Sequence, residues 1–321
     1  MNASMQAAIA ATREAEYATL TRAGMPIANP LFHYYQPGYS SIDVATGLAY
    51  PAKADRARAN PKVGLLLGPA VHAHDPIAML EHGAPDASAL ADQPVVVIAA
   101  RAAVRDGDIQ ANTDRYIGQF LAEHPKVGPD WDLVKTKLHY WARIWVECVP
   151  VRVLFWPEGR IDSEAPLVWQ AAADAEYPQS DRAPQSAPTP RADWPVEHWQ
   201  QRAQGVIRAF PQPILTAADG DGFPLPFPVL GAELAEDGFA LTLARHGPWE
   251  PVGPACLSFG AMATFLGALD DGDVTRFRVS RLIGNLPHVF DTPDDQLVTM
   301  MGRLRAELDR RSQSMPVVER P

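Results

Sequence analysis

Cysteine is scarce in this chain, with Cys148 and Cys256 the only two in 321 residues. Each sits in an apolar, strand-like run, so the pair reads as buried thiols of a reducing compartment and not as a disulfide framework. No apolar run reaches the ~18 residues that a membrane-spanning helix needs. Positive charge is in deficit, with 28 Lys and Arg against 38 Asp and Glu and a formal net charge of −10. That balance argues against nucleic-acid and anionic-membrane partners, both of which need a basic footprint. The opening "MNASMQAAIAATREAEYATL" lacks a basic start, and Arg13 and Glu14 interrupt its alanine run, so it is a poor signal peptide. The expected location is cytoplasmic. The sequence contains no G-x-S-x-G, H-E-x-x-H or phosphate-loop motif, and no helix pattern follows the glycines of "GDGFPLP".

What the chain does have is apolar content of 47%, ample for a packed core, and a length that predicts two domains. Pro178, Pro184, Pro188, Pro190 and Pro195 punctuate a Ser/Gln/Ala-rich stretch that should run extended between folded units. The expected division is a first unit over 1–160, a linker over 161–195, and a shorter second unit over 196–321 that includes a C-terminal helix. The two units resemble each other in order. "YATLTRAGMPIANPLFHYY" corresponds to "PILTAADGDGFPLPFPVLGAEL", "KVGLLLGPA" to "PACLSFGA", and "IAARAAVRDGDI" to "FLGALDDGDV". "ARIWVECVPVRVLFW" and "TRFRVSRLIGNL" close the two series. Ordered correspondences of this kind indicate a divergent tandem duplication. Short runs of Val, Ile, Leu, Phe and Tyr between Gly, Pro and Asp turns predict a mainly β fold with peripheral helices. Helices are expected at about 5–16, 51–60, over "NTDRYIGQFLAEH", and at 293–312.

"YPAKADRARANPKVGLLL" gathers Lys53, Arg56, Arg58 and Lys62 into ten residues of an acidic protein. Pro51 suits a first helical position, and Asn60-Pro61 stops the helix. Lys53 and Arg56 then share a face near the helix start, where free N–H groups and the dipole favour an anion. The stretch is therefore either a solvated basic face or a phosphate seat; Arg58 and Lys62 point elsewhere. "VHAHDP" brings His72, His74 and Asp75 together; on a strand its two imidazoles share a face, which suggests a metal, but no third ligand for that face is evident and no metal is expected. His139 in "KLHYWARIW" is a structural residue or a conceivable haem ligand. Arg276, Arg278 and Ser280 share a strand face, and Trp141, Trp145 and Trp156 read as core or seam. No residue stands out as a general acid or base.

The spacing Lys53-Ala54 to Asn60-Pro61-x-Val63-x-Leu65-Leu66 resembles the signature of the pyridoxamine 5′-phosphate oxidase-like, FMN-binding split barrels. The likeness extends over most of residues 5–157 and, more faintly, 205–287. It implies two six-stranded split β-barrels forming an intrachain pseudo-dimer, with FMN between them. It implies that Lys53 contacts the flavin phosphate, with Arg56 and the Thr46 hydroxyl beside it and Phe32 and His33 along the ring. Pro51 and Ala52 stand where the family usually has a Ser or Arg, so fewer groups hold the phosphate. The implied activity is a flavin-dependent oxidoreductase acting on a small molecule. Deazaflavin is the alternative cofactor on this fold, and a non-catalytic flavin- or haem-binding protein is the alternative role. A further homodimer remains open.

Overall fold

Runs of β-branched and aromatic residues pair into two antiparallel sheets, each buried on at least one face. The structure is a computed structural model describing residues 1–69, 92–123, 131–186, 198–210, 212–250, 252–260, 262–270, 275–283 and 294–320. The first sheet contains β1 (Glu14–Leu20), β2 (Pro26–Tyr34), β3 (Ile42–Gly47), β4 (Lys62–Leu67), β5 (Val95–Arg105), β6 (Arg143–Trp156) and β7 (Leu167–Gln170). Its order is β3-β2-β1-β4-β5-β6-β7, and β3 also pairs with β6, which closes β1 to β6 into a six-stranded barrel. Ala15, Tyr17, Ile42, Val44, Val63, Leu65, Ile98 and Ile144 fill its interior.

The second sheet contains β8 (Ile214–Ala218), β9 (Pro224–Pro228), β10 (Gly231–Leu234), β11 (Gly238–Thr242), β12 (Gly253–Phe259), β13 (Ala263–Asp270) and β14 (Thr275–Ile283). Its order, β10-β11-β14-β13-β12-β8-β9, repeats the first with one join missing. The strands carrying the four sequence correspondences occupy equivalent places: β1 and β8, β4 and β12, β5 and β13, β6 and β14. Where β2 meets β3 through His33↔Val44 and Tyr34↔Asp43, β9 meets no partner on its outer side among the described residues, and the sheet is curled but open there. The sequence of β9 supplies the reason. Val229 donates its N–H towards β8, so the even-numbered positions face away from β8, and these are Pro224, Pro226 and Pro228. An edge whose residues are prolines offers no N–H to a further strand.

The sheets pack reciprocally: β2 lies against β8, β12 and β13, and its counterpart β9 lies against β1, β4 and β5. This is the isologous pattern of a two-fold dimer, realised within one chain. The seam is apolar, with Leu66, Val97, Trp156, Phe223, Leu225 and Phe227 buried in it. Each such side chain contributes about 1.5–3 kcal/mol by leaving water. Gly64 is obligatory there, because a Cβ on it would lie 1.9 Å from the Pro224 carbonyl oxygen.

Helices cover the ends and outer faces. α1 (Ala3–Ala11) is capped by Asn2, whose Oδ1 accepts from Met5 N–H at 2.9 Å. It is shorter than expected because the sequence from Glu14 onward is drawn into β1, which is buried at every position. α2 (Ala52–Ala59) follows β3 as anticipated. α3 (Ile109–Glu123), α4 (Trp131–Val134) and α5 (Leu138–Trp141) form an aromatic layer outside β3 and β6, containing Tyr116, Phe120, Trp131, Trp141 and Trp145. α6 (Trp199–Ala209) packs on the second sheet through Ala203 and Val206.

α7 (Asp294–Arg310), which follows the second sheet in the chain, packs on the first barrel. Leu304 and Leu308 enter that barrel's core, and Arg303 Nε donates to the Ala49 carbonyl at 3.0 Å. The segment between the sheets is also bound to the first barrel. After β7, Ser180 accepts from Val104 N–H and Asp181 from the amides of Asp106 and Gly107, each at 2.9 Å. Both cysteines are free and buried, Cys148 in the first core and Cys256 at the seam.

Candidate anion site at the start of the second helix

The turn after β3 delivers the chain into α2 beside the first residues of β6, because Gly47 and Arg143 are register partners. α2 begins at Pro51 without a side-chain cap, which leaves its first amides for water or an anion. Lys53 lies half-buried in this first turn. It has no hydrogen bond and no ion-pair contact among the described residues. Burial, followed by repulsion from Arg56 and Arg143, pushes its ammonium down to about 8, with attraction from Glu16 opposing.

Arg143 is the second cation of the site. It is 8% exposed, its guanidinium carbon lies 4.0 and 4.3 Å from the ring centroids of Tyr116 and Tyr140, and Nη2 donates to Tyr116 Oη at 2.9 Å. Its Nε is buried without a partner, and no carboxylate pairs with it among the described residues. The guanidinium lies against the turn, where a Cβ on Gly47 would be 3.7 Å from Nη1, an ordinary contact. Removing a cation from water without a counter-charge costs several kcal/mol. Arg143 bears that cost, and the half-buried Lys53 repels it.

Arg56 sits one turn on, and its Nε donates to Thr19 Oγ1 of β1 at 2.7 Å. Facing the seam from β1, Glu16 is fully buried; its Oε1 accepts from Ser258 Oγ of β12 at 2.6 Å, and its Oε2 has no partner among the described residues. Burial raises this carboxyl to about 8, against the Ser258 hydrogen bond and the Lys53 charge. Glu16 is therefore largely protonated at neutral pH and does little to neutralise Lys53. The second sheet, through Ser258, reaches the same neighbourhood.

The sequence-predicted residues divide. Lys53 and Arg56 come together, close enough to repel. Thr46 is buried on the β3 face of Ile42 and Val44, the barrel interior, opposite the face of Gly47. Phe32 packs on the aromatic layer, while His33 Nε2 is held by the Ile9 carbonyl at 3.1 Å and Thr12 Oγ1 at 3.4 Å, which ties β2 to α1. Arg58 is bound to Asp106 at 2.6 Å and Lys62 Nζ donates to the Asp221 carbonyl at 2.6 Å, so both are structural. Arg278 pairs with Asp270 on the exposed face of β14. His72, His74 and Asp75 lie outside the described residues. Glu16, Arg143 and Ser258 were missed by the sequence reading. Their one signal is a lone polar residue in an otherwise apolar strand, as in "ARIWV" and "CLSF".

The first barrel is thus a split β-barrel, with its most unusual electrostatics at the α2 start. No protein-family model matches the chain, and no curated protein matches its sequence. Solved structures similar to it include General Stress Protein 26 from Bacillus anthracis, at 12% identity over 53% of this chain and 100% of that one, TM-score 0.33. A pyridoxamine 5′-phosphate oxidase-related, FMN-binding protein from Nostoc punctiforme is 12% identical over 51% of this chain and 84% of that one, TM-score 0.31. An FAD-binding protein from Mesorhizobium loti is 15% identical over 48% of this chain and 94% of that one, TM-score 0.28. Each similarity spans about half of the present chain.

Proposed function

We propose that the chain is a flavin-binding oxidoreductase of the pyridoxamine 5′-phosphate oxidase-like type, with the FMN phosphate seated at the start of α2. The observation that carries this reading is a pair of neighbouring cations, buried Arg143 and half-buried Lys53, that lack a carboxylate partner among the described residues. A dianionic phosphate would supply the missing charge, and the uncapped amides of α2 would add to it. Arg56, fixed by Thr19, contributes positive potential from the barrel side. Protonated Glu16 leaves that potential largely intact. Bound FMN would supply hydride transfer to or from a small molecule.

Both titrations act in one direction. As pH rises through about 8, Lys53 loses its proton and Glu16 gains a charge, so anion affinity should fall. Purified protein should show flavin absorption near ~450 nm, and Lys53→Ala and Arg143→Met should each lower flavin content at least about ten-fold. FMN affinity, measured by fluorescence quenching from pH 6.5 to 9.5, should decline in the wild type and stay low and flat in Lys53→Ala. Full flavin retention by both variants would place the phosphate elsewhere. A colourless protein that binds added deazaflavin would change the cofactor and keep the seat.

A haem-binding reading rests on His139, which is 4% exposed with neither ring nitrogen hydrogen-bonded among the described residues. Burial, then the charges of Lys137 and Arg143, holds it near 4 and therefore neutral, as a ligand must be. A Soret band lost in His139→Ala would favour that alternative.

A further inference from the structure

On the first barrel a cavity of about 370 Å³ opens between the end of β2, the middle of β6 and the chain after β7. That size lies in the range of small-ligand pockets. Its walls bring together Tyr35, Tyr39, Trp169 and Tyr177, with the aliphatic surface of Val149 and Pro150 behind them. Glu176 is the only charged side chain in the lining, and it makes no ion pair or hydrogen bond with any described residue. Four aromatic residues and one unpaired carboxylate thus line the cavity, with Met1 and the start of α1 beside them.

The walls are held in place. Gln6 Oε1 of α1 accepts from Gly38 N–H at 3.0 Å and fixes the turn that presents Tyr39. Trp169 is in register with Val153 in the β6–β7 ladder, and Ala171 N–H donates to the Val151 carbonyl at 2.8 Å just beyond it. Tyr177 already carries a cation, since the Arg101 guanidinium carbon lies 5.5 Å from its ring centroid, within the ~6 Å reach of a cation–π contact. Tyr39, 53% exposed, stands at the opening to solvent.

We infer that this cavity binds an organic cation with a methylated ammonium head, held by the rings of Tyr35, Tyr39 and Trp169 and countered by Glu176. Aromatic faces attract a large, weakly hydrated cation through their quadrupoles. A small metal ion would need several oxygen ligands, and Glu176 is the only carboxylate here. The inference is independent of the flavin reading, because none of these residues belongs to the site at α2.

The test is calorimetric titration of the full-length protein with choline and with 3,3-dimethylbutanol, its neutral isostere, at pH 7.5. Choline should bind at least about ten-fold more tightly than the isostere. Glu176→Gln and Tyr39→Ala, both at exposed positions, should each weaken choline about three-fold or more while leaving the melting temperature unchanged. Equal affinity for the two probes, or no binding of choline, would overturn the inference. Choline binding that survives in both variants would place it at another site and overturn it as well.

Discussion

The two halves have the same strand order but finish differently. In the first, β2 reaches β3 past its last proline, Pro30, and the barrel closes. In the second, alternate prolines run to the end of β9, and closure is impossible on that edge. A second difference lies between the third and fourth equivalent strands. The first half places α2 there, with Lys53 and an uncapped N-terminus; the second has a helix-free stretch from Leu243 to Glu250, with Arg245 exposed. A duplicated fold has thus kept a pairing surface in both copies and a cationic site in one.

Breaking the attachment of α7 to the first barrel should have the largest effect. Arg311 is 3% exposed, pairs with Asp106 at 3.0 Å and also contacts the fully buried Glu307. Arg311→Ala removes one of the two cations that hold each carboxylate, Arg58 remaining on Asp106 and Arg310 on Glu307, and should cost about 3 kcal/mol in urea unfolding. Hydrogen exchange should rise in α2 and at the end of β5 before it rises in β12 and β13. A uniform rise would mean that α7 serves both halves equally.

The seam comes next. Gly64→Ala forces β4 and β9 apart against the Pro224 carbonyl, for a loss of about 1–3 kcal/mol. Wild-type stability in that variant would show the seam to be loose. A subtler probe is Glu16→Gln. Because the folded pKa of Glu16 is raised to about 8, its contribution is fully present below the ordinary carboxylate range and is lost as pH rises to that value. Glu16→Gln should therefore gain on the wild type steadily between pH 5 and 8 in thermal melts, and then level off. A constant difference would mean that Glu16 titrates normally.

Sequence legibility followed the range of the interactions. The helix at 52–59 was readable because Pro51 and Asn60-Pro61 act on their immediate neighbours. The duplication was readable because strand runs and turns repeat in order. α1 was drawn too long because Glu14 and Glu16 look helical until β2 and β4 compete for them through pairings such as Glu16↔Pro30 and Glu16↔Leu66. His33 was read as a satisfied structural histidine or one facing a ring, and its tie to α1 depends on a contact across 24 positions of chain. Arg143 lies 90 residues beyond Lys53, so no local pattern joins them; their proximity is created by the β3–β6 pairing.

The sequence by itself determined the mainly β character, the two-copy order, the helix that bears Lys53 and Arg56, and the free, buried state of the cysteines. These are consequences of side-chain period, turn chemistry and apolar context, all short-range. The tertiary structure decided that one sheet closes and the other stays open, that α7 crosses to the first barrel, and that Lys53 shares its surroundings with Arg143, Glu16 and Ser258. Those outcomes depend on which distant groups are buried together, because burial is what leaves a charge without water and makes its missing partner felt.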